Sequence, residues 1–564
     1  MANQRLFDLK HRCSAAALVM FAWSGLQACS DSDSASESSA ATATKRLNGT
    51  AELLVNADSV SADSVSADAD ARGGDFEHRW QGSGVPNEVR AARKEWPIAN
   101  RDYAGTRATF DSHIKAANVT TLTPAWAYNL AATNGGYVGS GTSSALVLDG
   151  KVYYQDQLSN VSVLNAKTGA VVWTKSYNTP GGAPNGIAVG WGKVFAASSD
   201  KAFVALDLKS GAELWKAPIE VPQFAGIGIQ PVAYGGLVYL STVPVNSTSQ
   251  YSGGVNGTLY ALDQSNGKIV WSFKTVKDES LWGNATVNSG GGAWFPPTID
   301  TESGEIYWGI GNPAPYPGTP EFPLGSSRPG DNLYTDSVLT LDAKSGRYHW
   351  HFQEVAHDLF DLDFQNPPIL ADVRVGREKR SLVFGSGKTG TVVALDARRG
   401  GKFVWRASVG THQNDRLQTY GDAGVDVFPG SLGGVIAPIA FADDTLYVPT
   451  VNWGRHFYPG GAAQGLLGAG TGELIALNAA DGSVRWKIAL PSTPFGGITV
   501  VNDLLVTSTV NGLVLVFDRR TGSELWRFQG PNGINAPISV ADDLLIVPFG
   551  IGAGTAQLIA FKLP

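Results

Sequence analysis

Apolar residues alternate with polar ones in short runs throughout this chain, and seven of the runs continue in the same way. Each passes through Asp or Asn and a polar stretch containing Gly into a second run closed by Trp. The copies are VSVLNAKTGAVVW (ending at Trp173), FVALDLKSGAELW (Trp215), LYALDQSNGKIVW (Trp271), VLTLDAKSGRYHW (Trp350), VVALDARRGGKFVW (Trp405), LIALNAADGSVRW (Trp486) and VLVFDRRTGSELW (Trp526). A period of two predicts β-strands. An Asp- or Asn-initiated turn with Gly supplies the positive φ of a chain reversal, so each copy predicts a β-hairpin. The turn glycines are Gly169, Gly211, Gly267, Gly346, Gly400, Gly482 and Gly522. A Trp at one place after every turn predicts an indole packed between neighbouring sheets, its N–H on a backbone acceptor.

The copies recur at intervals of about 40 residues or more, the length of a four-stranded propeller blade. An eighth Trp, Trp126 in LTPAWAYNL, has no hairpin before it, and the last strand, QLIAFKL, has no Trp after it. Together they complete one more blade. The predicted fold is therefore all-β: an eight-bladed β-propeller of tryptophan-docking repeats, its ring closed by the N- and C-terminal strands so that no sheet edge stays open. The intervals from Trp271 to Trp350 and from Trp405 to Trp486 are the long ones. Excursions of that kind are where a propeller carries its function.

Composition agrees: 67 Gly and 16 Trp with only 16% charged residues suit strands and tight turns. The first residues read differently. Arg5, Lys10 and Arg12 precede an apolar run from Ala15 to Trp23 that is too short to span a bilayer. Residues 1–28 are read as an export signal, and Leu26-Gln27-Ala28-Cys29 resembles a bacterial lipobox, which would make Cys29 lipid-modified. An ordinary cleaved signal peptide is the alternative. Residues 29–75, rich in Ser, Ala and Asp, are too polar to bury a core and read as a tether; residues 76–564 form the propeller. The chain is thus expected to be exported and periplasmic, attached by a lipid only, with the outer membrane favoured. Cys13 is the other cysteine and falls inside the signal, so no internal disulfide is expected in the mature chain. Losing Arg5, Lys10, Arg12 and Asp8 with the signal takes the formal charge from −7 to −9. Such a chain lacks the basic patch of a nucleic-acid binder.

In the first long interval GGGAW (Gly290–Trp294), GNPAPY (Gly311–Tyr316), RPGDN (Arg328–Asn332) and HDLFDLD (His357–Asp363) follow one another, and GSGKTG (Gly385–Gly390) comes after. Taken singly, Trp294 reads as a core indole, and Asn312 and Asp331 as turn residues. In this order and spacing the motifs resemble the quinoprotein alcohol dehydrogenases, which bind pyrroloquinoline quinone (PQQ). The resemblance runs from about Arg101 to the end and is closest to the heme-less, polyvinyl-alcohol-dehydrogenase-like branch.

What it implies can be given residue by residue. Trp294 is the stacking floor a planar tricyclic cofactor needs. Asn312 offers Ca2+ a hard amide oxygen. Asp331 is the catalytic base, taking the hydroxyl proton as hydride leaves the substrate carbon, and it also ligates the metal. Lys388 meets the quinone oxygens, where a cation stabilises the charge that develops on reduction. Asn452, Trp453 and Phe495 line the quinone pocket, and HDLFDLD is a structural element. Leu333 stands two places after Asp331, where lanthanide-using relatives carry a further Asp, so calcium is the metal implied.

Two positions depart from the family. Asn185 stands where an Arg binds a PQQ carboxylate, and Ser252 is the nearest match to an acidic calcium ligand. No C-x-x-C-H haem motif is present, so electrons would leave to a separate cytochrome c or membrane quinone. Small alcohols, diols and a polymeric alcohol all stay open as substrates. The competing expectation is a propeller lipoprotein that has lost PQQ and serves as a protein-binding scaffold of the outer-membrane assembly type.

Overall fold

Every one of the seven Trp-closed repeats is an antiparallel hairpin in the computed structural model, which describes residues 84–131, 139–181, 183–245, 253–277, 281–461, 466–552 and 554–564. The export signal, Cys29, the tether and Ser252 lie outside the described residues. In the third repeat, for example, Thr258–Asp263 pairs with Ile269–Lys274, with a register shift at Ala261/Leu262 just before the Trp. The shift turns Trp271 inward while its neighbours Ile269 and Val270 stay exposed.

Turn chemistry explains the reversals. Asp207 Oδ1 accepts hydrogen bonds from the backbone N–H groups of Lys209 (3.1 Å) and Ser210 (2.8 Å), and the Asn165 side chain does the same for Lys167 and Thr168.

The indoles tie one sheet to the next. Nε1 of Trp126, Trp215, Trp271 and Trp405 donates to the carbonyls of Ala166 (2.8 Å), Gln264 (3.1 Å), Ala343 (2.9 Å) and Ala479 (2.9 Å). Each acceptor directly follows the turn-initiating Asp or Asn of the next repeat. The turn glycine of that repeat then lies on the ring: a Cβ at Gly267 (φ +72°) would stand 2.7 Å from Trp215. Glycine is needed there for its backbone conformation and for the close approach. Trp350 is the exception. The following turn is one residue longer and winds into a 3-10 turn at Ala397–Arg399, so that Gly400 (φ +64°) makes the turn and Gly401 sits on the indole. Trp350 Nε1 has no partner among the described residues.

Among the described residues eight sheets of four or more strands result, all-β apart from one five-residue helix at Asn87–Ala91 and short 3-10 turns. The architecture is a β-propeller. Thr123–Asn129, which carries Trp126, pairs antiparallel with Gln557–Lys562, the last strand. The first strand of a sheet is typically fully buried, as in Leu146–Leu148, Ile187–Gly190 and Ile498–Val501.

Their free edges are met by a segment the strand pattern did not single out. Trp96 exchanges backbone hydrogen bonds with Val147, and the carbonyls of Tyr103, Ala104, Thr106 and Arg107 then accept from Ile299, Leu370, Phe441 and Val500 in turn. The chain before the first long strand thus passes from sheet to sheet, satisfying inner-edge amides that burial would otherwise leave unpaired.

Candidate functional site

Residues that lead into the inner strands converge on a partly enclosed cavity. Ser144 precedes Leu146–Leu148, Asn185 precedes Ile187–Gly190, Gln230 precedes Val232–Tyr234, and Phe495 precedes Ile498–Val501. Trp294 and Phe495 supply aromatic walls, and Ala99 and Asn100 enter from the N-terminal segment. Among the described residues no charged side chain lines the cavity. Asn185 is tied into the framework: Nδ2 donates to the Asp156 carbonyl (2.8 Å) and Oδ1 accepts from Gln157 Nε2 (3.3 Å).

A buried carboxylate cluster lies beside Gly311, close to Trp294. A Cβ on Gly311 would stand 3.0 Å from Trp294 Nε1 and would collide with Asp363 Oδ1. Asp363 Oδ1 accepts the Asn312 N–H (2.7 Å), and Lys388 Nζ bridges Asp363 Oδ2 (2.5 Å) and Asp361 Oδ1 (3.1 Å). Asp358 holds the loop by accepting the N–H groups of Phe360 and Leu362, both at 2.7 Å. Asp361 sits at φ +62°, a left-handed conformation an Asp adopts at a cost and one that recurs at functional sites.

Burial pushes the Asp361 carboxyl up to about 8, with Asp363 adding to the shift and Lys388 opposing it. Burial alone would lower the Lys388 ammonium, but the two carboxylates outweigh it and hold it above its ordinary value. Asp358 is raised by burial to about 6. Asp336 is raised by burial and by Asp358 and Asp363, and neither of its carboxylate oxygens has a partner. Asp336 and Asp361 are thereby held protonated at neutral pH, where an ordinary carboxylate is ionised.

A family model described as glucose/ethanol/alcohol dehydrogenase, beta-propeller domain, matches residues 222–416, the stretch that holds Trp294, Gly311 and the carboxylate cluster. A second, described as outer membrane protein assembly factor BamB, matches residues 85–273 and 388–560, which contain most of the repeats. The quinohemoprotein alcohol dehydrogenase of Comamonas testosteroni is 27% identical over 548 residues, covering 84% of this chain and 75% of that protein. The quinoprotein alcohol dehydrogenase PedH of Pseudomonas putida is 26% identical, covering 74% and 79%. The chain belongs to the quinoprotein alcohol dehydrogenase family. Its fold matches the crystal structure of the Comamonas protein (TM-score 0.71, 22% identity, 86% of this chain and 83% of that one). It also matches a europium-containing methanol dehydrogenase (TM-score 0.70, 20% identity, 84% and 100%).

In this quinoprotein the residues singled out from the motifs separate into groups. Trp294, Asn185 and Phe495 line one cavity, and the Trp453 ring lies 6.5 Å from that of Phe495. Asn312 and Lys388 lie together in the carboxylate cluster. Asn452 does not line the cavity; its Oδ1 accepts the Thr411 N–H at 2.8 Å.

Asp331 is not brought to the site either. It is exposed, in a surface depression with Gly330, Ala356, His357 and Gln418, which neither Trp294 nor Asn312 lines. The inward residues of RPGDN are its Arg and its Asn. Arg328, fully buried, donates to the carbonyls of Pro315 and Asp358 and to Asn332 Oδ1, fastening GNPAPY to HDLFDLD. The motif is a staple, with Asp331 on its outward side, away from Trp294 and Asn312. The acids that reach the site come from HDLFDLD, which had been read as structural. Its signal is visible in hindsight: Asp358, Asp361 and Asp363 alternate with Leu and Phe, side chains that draw the loop into the interior.

The lining suits a planar aromatic ligand bearing hydrogen-bond acceptors, because it combines the indole of Trp294 and the phenyl ring of Phe495 with the amide of Asn100. The metal fit is incomplete. Among the described residues no group of three or more His, Cys, Asp or Glu is placed to hold an ion. Asn312 Oδ1 and Asp361 are hard donors, but they are fewer than the about six to eight oxygens that calcium takes.

Proposed function

We propose that this chain oxidises an alcohol with PQQ held in the cavity beside Trp294, and that Asp361 is the general base. The observation that carries the assignment is the state of the two carboxylates on Lys388. Both oxygens of Asp363 are engaged, and its side chain is 3% exposed. Asp361 uses Oδ1 for Lys388, is 10% exposed, and leaves Oδ2 open to a substrate hydroxyl. PQQ, when bound, supplies a two-electron acceptor for the hydride that leaves the alcohol carbon. Asp361 takes the hydroxyl proton. Lys388 keeps Asp361 in place and sets a positive charge beside it. Gly311, lacking a side chain, lets Asp363, the other carboxylate on Lys388, sit close to the Trp294 floor.

The reading extends to architecture and location. The eight sheets are taken as eight blades of one ring, closed by the pairing of Thr123–Asn129 with Gln557–Lys562. The chain is taken as exported and lipid-anchored at Cys29, which mass spectrometry of the mature N-terminus would check. It passes electrons to a separate cytochrome c or quinone. The preference for calcium over a lanthanide rested on Leu333 and moves with the base: two places after Asp361 stands Asp363. Thermal shift with Ca2+ and with La3+ reads the choice directly.

The match of the BamB-described model to the repeats keeps a scaffold as the second reading. The deciding experiment is titration of purified full-length protein with PQQ, with and without metal, followed by alcohol-dependent dye reduction. The enzyme reading requires micromolar quinone binding and turnover; absence of both leaves the scaffold.

A further inference from the structure

Arg107 is the buried cation that the proposed chemistry leaves unused. It is 0% exposed, in the N-terminal segment that lines the inner strands. All its guanidinium bonds go to neutral groups: the carbonyls of Ile498 (2.9 Å), Ala99 (3.2 Å) and Ile538 (3.0 Å), Asn100 Oδ1 (3.2 Å) and Thr499 Oγ1 (2.8 Å). No carboxylate among the described residues pairs with it. Arg101 pairs with Asp111, and Asp102 turns to the Thr106 amide and hydroxyl. Burial lowers the Arg107 guanidinium to about 9 with no acid opposing the shift, and it is cationic at neutral pH.

A buried charge without a counter-ion is costly, which raises the question of what offsets it. Two of its partners, Ala99 and Asn100, line the cavity, and Ile498 and Ile538 each follow closely on lining residues, Phe495 and Pro537. A guanidinium only donates, so Asn100 must turn Oδ1 toward Arg107. Its NH2 end, which no described group engages, is then left for the cavity. The cavity itself has no charged lining, and Asn185 stands where the family's carboxylate-binding Arg was expected.

We propose that Arg107, acting through Asn100, is the positioning residue that draws the carboxylates of an anionic ligand into this cavity, taking over the electrostatic part of the missing arginine. The proposal rests on the reading that the cavity takes PQQ. The guanidinium provides a fixed positive field from within the fold, and Asn100 relays it as an oriented N–H donor.

The test compares PQQ, a trianion at neutral pH, with its neutral trimethyl ester, titrated into the full-length protein and followed by quenching of tryptophan fluorescence. Wild type is expected to bind the trianion at least about tenfold more tightly than the ester, the scale of one elementary charge acting through a protein interior. Arg107→Met should bring the two affinities within about threefold of each other, with ester affinity unchanged, and Arg107→Lys should keep most of the preference. A purely structural Arg107 would lower the melting temperature and leave the preference intact, which overturns the proposal. If Arg107→Met does not fold, Thr499→Asp, which places a carboxylate on the guanidinium away from the cavity lining, should abolish the preference in its place. Equal affinity of wild type for both compounds refutes the proposal without any variant. Binding of neither compound refutes the cavity reading, and this inference falls with it.

Discussion

Asp361→Asn tests the central assignment. The substitution keeps shape and removes the proton acceptor. Asp363 still holds Lys388 at 2.5 Å, so no cation is left unpaired. The cluster also loses a carboxylate that burial has pushed up to about 8, whose ionised form is unfavourable in the fold, so the melting temperature should hold or rise. Asp361 does not line the cavity, so quinone affinity should stay within about twofold. Removal of a general base lowers kcat by about 10²- to 10⁴-fold, equivalent to about 3–5 kcal/mol of transition-state stabilisation. The assay is single-turnover reduction of bound quinone by alcohol, read by absorbance, with Asp331→Asn in parallel. Asp331 is exposed and apart, so its amide variant should retain wild-type turnover. A collapse of turnover in Asp331→Asn, with Asp361→Asn unaffected, would refute the reading.

Other outcomes follow from the same geometry. A base must be deprotonated to act, and the folded pKa of Asp361 is raised, so kcat/KM should increase as pH rises through about 8; a rate already maximal at pH 5 contradicts this. Gly311→Ala places a methyl against Asp363 Oδ1 and near Trp294 Nε1 and should weaken quinone binding at least about tenfold while the propeller still folds, as circular dichroism would show. Trp271→Phe removes one of two donors to the buried Ala343 carbonyl, leaving the Tyr239 hydroxyl at 3.1 Å, and should cost about 0.5–1.5 kcal/mol in urea denaturation. Trp350→Phe removes an N–H that has no partner and should cost less; the reverse order would break the account of indole docking.

Local chemistry explains what was legible beforehand. Alternation, the Asp- or Asn-initiated turn and the glycine all act within about a dozen residues, so the hairpins and their Trp ends stood in the sequence. The unmatched Trp126 and the unmatched last strand likewise pointed to each other, because a strand edge requires a partner. Gly400 supplies the positive φ of its turn, and one extra residue there passes the place on the indole to Gly401.

The site depended on contacts between distant segments. RPGDN and HDLFDLD both present acids after a turn, and nothing in either motif states which acid faces inward. That is decided by Arg328 reaching Pro315 and Asp358, by Lys388 bridging Asp361 and Asp363, and by the Asn312 N–H meeting Asp363 across 51 residues of sequence. The path of residues 96–107 is of the same kind. Their polar groups satisfy inner edges that exist only once the sheets have assembled, and Arg107 acquires its place under the cavity only then. The sequence by itself determined the repeat, its turns and the pairing of its ends, because strand periodicity and turn conformation are short-range properties of the chain. Only the tertiary structure decided which carboxylates are buried beside Lys388 and which cation lies behind the cavity, because burial and charge pairing are set by the neighbours that folding supplies.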